Sequence, residues 1–112
     1  MAYDTGLAQR VRDILTRTEQ QYPFVEKRMF GGLAFMVRGH MCCGVHEDRL
    51  MLRQGNEGAV EALKQDGARP MDFTGRPMKS MVFVDADAAQ EDDDLEEWVR
   101  RGIGFVTTLP PK

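Results

Sequence analysis

Four residues within one short stretch, His40, Cys42, Cys43 and His46, are of the types that ligate metals or pair a nucleophile with a base. A cysteine becomes a catalytic nucleophile when a histidine and a partly open, electropositive setting favour its thiolate. His40 and Cys42, two places apart, would share one face of a strand. No third residue that would orient the histidine accompanies them. For a single metal ion the spacing is wrong: at about 3.4 Å per residue an extended strand puts His40 and His46 roughly 20 Å apart, against ligand bonds of about 2 Å. The cluster also matches no structural zinc spacing. These four are therefore expected to be core or edge residues, with no metal, no cofactor and no catalytic group among them. Neighbouring residues of a strand point to opposite faces, so a Cys42–Cys43 bridge would be strained and both are expected as reduced thiols.

Other patterns have simpler readings. The acidic run of Asp85, Asp87, Glu91 to Asp94, Glu96 and Glu97 lacks the alternating oxygen ligands and central glycine of a calcium loop. It suits the start and solvated flank of a helix. Gly31-Gly32 joins strand to strand, so it is a hairpin turn and not a nucleotide-binding loop. Met29, Met36, Met41, Met51, Met71, Met78 and Met81 form an adaptable apolar set, read first as core filling. Arg10, Arg12, Arg17, Lys27, Arg28 and Arg38 could make a basic surface. Yet 15 basic against 18 acidic side chains leave a net charge of −3, which disfavours direct binding to a phosphate backbone. The first three arginines suit the wet side of an amphipathic helix.

The elements that position these residues follow from periodicity. Leu7, Val11, Ile14, Leu15, Thr18 and Tyr22 repeat at helical spacing, predicting a helix from Thr5 to Gln21, capped by Asp4 or Thr5 and ended by Pro23. The period then shortens. Strands are predicted at Phe24–Phe30, Leu33–Val37, His40–His46 and Arg49–Arg53, with tight turns at Gly31-Gly32, Arg38-Gly39 and Glu47-Asp48. Asn56 is placed to cap a short helix through Gln65 whose inward side would be Ala59, Val60 and Leu63, with Gly67 ending it. A hairpin of Pro70–Phe73 and Met78–Val84 would turn through Thr74-Gly75-Arg76-Pro77. Leu95, Trp98, Val99, Gly102, Ile103 and Val106 define a last helix, with aspartates at its start, Arg100 and Arg101 in its second half, and Pro110-Pro111 stopping it. With no linker or repeat, residues 1–112 read as one α+β domain: an antiparallel sheet, meander plus hairpin, with N-terminal, middle and C-terminal helices. No apolar stretch approaches the roughly 20 residues of a membrane span. The first ten residues also lack the pattern of a secretory signal, so with two thiols the expected location is cytoplasmic.

The run from Lys27 to Met41, Lys-Arg-Met-Phe-Gly-Gly-Leu-Ala-Phe-Met-Val-Arg-Gly-His-Met, resembles the signature of the TfoX N-terminal domain family. Arg49–Arg53, Met78–Val84 and Leu95–Val99 resemble its later strands and final helix in the same order, so the similarity extends from about Thr5 to Leu109. Arg28, Met29, Phe30, Gly31 and Gly32 are the candidate signature and interaction residues. The resemblance implies an α+β domain of secretion-chaperone-like outline and a link to competence regulators, in which a second domain follows; none is read in these 112 residues. It brings no catalytic residues. The expectation is thus a non-catalytic protein-interaction or regulatory module whose partner is an unidentified protein or a second copy in a homodimer. The alternatives are a nucleic-acid-binding accessory using the basic set, and a small enzyme or ligand binder using Cys42 or Cys43 with a histidine.

Overall fold

The computed structural model describes residues 3–17, 23–29, 31–72 and 77–110. Helix α1 spans Thr5–Arg17, and strands β1 to β4 span Phe24–Met29, Gly32–Val37, His40–His46 and Arg49–Arg53. Helix α2 follows at Gly55–Leu63, then β5 at Ala68–Asp72 and β6 at Pro77–Val84; a 3-10 turn at Ala86–Ala89 leads into α3, Asp92–Val106. The six strands form one antiparallel sheet in the order β1-β2-β3-β4-β6-β5. This is the α+β architecture that the periodicities predict.

Register explains which side chains meet. Leu33, Val45, Leu50 and Val84 stand opposite one another across four strands, as do Phe35, Cys43, Leu52 and Val82. Both rows are buried and join Leu7, Val11 and Leu15 of α1 and Leu95, Trp98, Val99 and Val106 of α3 in one core. The row between them, Ala34, Gly44, Met51 and Phe83, points the other way. There Met51 and Phe83 join Met41, Met71 and Met81 in a second buried cluster, so these methionines fill a core as expected. Among the described residues no helix is long and apolar enough to cross a membrane.

The ends of the elements carry local causes. Asp4 Oδ1 accepts from the backbone N–H groups of Gly6 and Leu7 at 2.8 and 3.1 Å, capping α1 as predicted. Thr18 and Tyr22, placed on its apolar face by spacing, lie outside the described residues, as do Phe30 and most of the predicted turn after β5. Arg38 and Gly39 both take positive φ, 56° and 86°, as a two-residue hairpin turn on a right-twisted pair requires.

Several expectations are corrected. Asn56 does not cap α2: it lies inside a helix that begins at Gly55, and the preceding Gln54 makes no side-chain cap bond. Ala59 faces the core as predicted, with Ala62 beside it, but Val60 and Leu63 are 58% and 39% exposed. Small side chains let α2 lie close against β6, and that approach outweighs the larger apolar gain Val60 and Leu63 would offer. Pro77 is the first residue of β6 and not part of the turn, and β5 begins at Ala68, two residues earlier than predicted.

Candidate interaction surface

β1 is the strand on which the signature hairpin begins, and it lies at one end of the sheet. Its outer residues Val25, Glu26, Lys27 and Arg28 are all exposed, Val25 by 68%. Phe24 turns inward, its ring 6.0 Å from that of Phe35. Arg12 of α1 clamps the strand from the helix side: its Nε and Nη2 each donate to one oxygen of Glu26 at 2.6 Å. These bonds hold the Glu26 carboxyl below the usual carboxylate range, with burial opposing them.

Of the candidate signature residues, Arg28 stands exposed opposite Leu33, and Met29 closes β1 opposite Gly32. Phe30 lies outside the described residues. Gly31 makes the turn with φ of 72°, a conformation that costs an L side chain about 1 kcal/mol or more. Gly32 differs from the expectation that it would share that turn. It opens β2, where a Cβ would overlap the carbonyl oxygen of Val45 and crowd Val45 C and His46 Cα at 3.1 and 3.2 Å. The paired glycines therefore serve two purposes: one reverses the chain, and the other lets β2 approach β3.

Beside this turn lies a polar cluster that sequence reasoning did not single out. His46 stacks on the Phe83 ring at 5.8 Å, and the Arg49 guanidinium lies over the same ring at 3.9 Å. Glu47 Oε1 is 3.7 Å from both His46 Nδ1 and Arg49 Nη2. His46 and Arg49 face each other across β3 and β4, and only the pairing with β6 brings in Phe83, so no local pattern announces the group.

The Cys/His constellation is not assembled. His40 Nε2 donates to the carbonyl of Pro110 at 2.6 Å, tying the chain after α3 to β3, whereas His46 sits at the strand's other end. Cys42 and Cys43 are free and wholly buried. Contrary to expectation they share the helix-covered core. Phe35 stands opposite Cys43 and Met36 opposite Met41, so Cys42 is an extra residue in β3, and the bulge brings the two side chains together. The hydrogen bond with Cys42, reinforced by burial, pushes the Cys43 thiol well up, which keeps it protonated. Among the described residues no group of three or more His, Cys, Asp or Glu side chains could hold a metal.

The charged runs are largely absorbed by the molecule itself. Arg10 pairs with Asp92 at 3.0 Å, Arg17 with Glu96 at 2.6 Å, and Arg38 donates to the Thr107 carbonyl at 3.0 Å. With Arg12 held by Glu26, the predicted basic surface retains Lys27 and Arg28 as its exposed members on β1. Asp92 to Asp94 form the first turn of α3, as the acidic run suggested. Asp85 pairs with Arg69 at 2.8 Å. A cavity of about 430 Å³ between α1 and α3 has Arg10, Arg17, Asp92 and Glu96 of the ion pairs just named among its lining residues, and none of its lining comes from the signature turn.

A family model described as the TfoX N-terminal domain matches residues 17–106. Comparison with curated proteins and with solved structures gave no significant match.

Proposed function

Because this chain belongs to the TfoX N-terminal domain family, we propose that it is a regulatory module that works by docking a protein partner along β1 and not by catalysis. Competence-related regulation, the process the family resemblance implies, would then be exerted through that partner. The observation that carries the reading is the state of β1: a terminal strand in regular register, with Val25, Lys27 and Arg28 exposed. Such an edge offers unpaired N–H and C=O groups to another chain, and strand addition is a recurring mode of protein recognition. The sealed, protonated Cys43 supports the non-catalytic part, since a nucleophile needs the opposite environment.

The test is capture on the immobilised chain, comparing parent with Val25→Asp, whose new charge sits on the exposed edge and should leave the single chain folded. The parent is expected to retain a defined protein, a further copy of itself included, and the variant to lose it. Equal retention by both, or a parent that retains nothing and stays monomeric, refutes the reading.

A further inference from the structure

The two ends of the sheet are built differently. β5, at the far end, carries Pro70, and its register breaks between Pro70 and Met71. A proline and a bulge both blunt an edge against further pairing. β1 has neither: it pairs β2 without interruption from Phe24 opposite Val37 to Met29 opposite Gly32. Alternate residues of such a strand direct their backbone N–H and C=O groups away from the neighbour, so half of its polar backbone faces outward. β1 is the edge fit to accept a strand.

We infer that the strand it accepts is β1 of a second copy, antiparallel about a two-fold axis through Lys27; this rests on the reading of β1 as the docking edge. Two identical strands joined in this way are related by an axis perpendicular to the sheet. Each residue must then face one an even number of places away, which leaves few registers. An axis at Glu26 sets two carboxylates face to face and Val25 against a lysine. One at Val25 sets Glu26 against Phe24, and one at Arg28 opposes two guanidinium groups. Only the axis at Lys27 sets Glu26 opposite Arg28 twice and Val25 opposite Met29 twice. Opposed unlike charges and opposed apolar residues both favour a strand pair. Lys27 alone meets its own copy, and its long side chain can splay into solvent.

The surroundings agree with this register. Glu26 already accepts from Arg12, and a carboxylate has lone pairs for further donors, so Arg28 of the second copy would complete an Arg-Glu-Arg group on the helix side. On the opposite face Val25, 68% exposed in the single chain, would be covered. The charges along β1 therefore repel most misaligned copies and match the aligned one.

Sedimentation of the full chain at about 100 µM, a concentration that populates even weak dimers, should give twice the 12.7 kDa of one copy. Under mild oxidation Lys27→Cys should link into a dimer, because self-opposed residues lie about 4.5–5.5 Å apart at Cα, within disulfide reach. Val25→Cys, about 13 Å from its copy in this register, should not. Arg28→Glu should weaken the dimer roughly tenfold or more, whereas Arg28→Lys, which keeps the charge opposite Glu26, should weaken it far less. A strictly monomeric mass, or linkage at Val25 in place of Lys27, overturns the inference. A monomer that still holds a different protein through an edge sensitive to Val25→Asp overturns the second copy while leaving the docking edge standing. A dimer linked at Lys27 with no other partner sustains the inference.

Discussion

Replacing Gly32 with alanine adds one methyl group, and the structure says where it must go. Its position overlaps the Val45 carbonyl oxygen and presses on Val45 C and His46 Cα at 3.1 and 3.2 Å, all of them backbone atoms of β3. A flexible side chain could swing aside; a strand cannot. β2 and β3 would have to separate where Leu33 pairs with Val45, losing about two backbone hydrogen bonds at about 1 kcal/mol each. Overpacking strain adds about 1–2 kcal/mol, so Gly32→Ala should cost about 3–4 kcal/mol in total. For a chain of this size 1 kcal/mol moves the midpoint by about 4–8 °C, giving an expected fall of about 12–30 °C in thermal unfolding followed by circular dichroism. Gly104→Ala is the control. In α3 its new methyl meets nothing within 4 Å, and relief of glycine's helix penalty should raise stability by about 0.5–1 kcal/mol. Should Gly32→Ala melt within about 2 °C of the parent, the account of the second signature glycine is wrong.

Acid should expose the α1–β1 clamp. Glu26 has its carboxyl held low by Arg12, so its stabilising effect is complete above the unfolded value of about 4.3 and disappears as pH falls through the lower folded value. Both side chains are 32% exposed, so Arg12→Gln should cost about 0.5–1 kcal/mol at neutral pH, and urea titrations should show that difference closing below about pH 4; a difference unchanged at low pH removes the clamp. Thiol titration checks the core: Cys42 and Cys43 should resist an aromatic disulfide reagent in the native protein and both react once it is unfolded, since both are wholly buried. Rapid native reaction of either would reopen the thiol chemistry.

Much of this fold is written locally. The three-and-four spacing from Leu95 to Val106 predicts α3 with its buried face complete, because every one of those positions is buried. Strand β3 and strand β4 run over the predicted residues, since alternating side chains and turn-forming pairs act over short distances. Asp4 caps α1 because a carboxylate reaches two or three residues along the chain. The signature turn was legible as a hairpin for the same reason, and the family it resembles is the family whose model matches.

Other features are decided between segments distant in sequence. Val60 and Leu63 look like the inward side of α2, yet Ala59 and Ala62 face the core, because the distance between a helix and a sheet is set by the whole packed layer. Cys42 and Cys43 share a side only because one extra residue enters β3 opposite β2, and a strand read alone has no partner against which to count. The arginines of α1 find Glu26, Asp92 and Glu96, and Arg49 finds Phe83, through the order of strands and the seating of helices. Composition and periodicity thus determined the elements and their turns, where neighbours in the chain supply the forces. The cancelled charges, the sealed thiols and the one unblunted edge were decided by tertiary structure, because each depends on which distant atoms come to lie within a few ångströms.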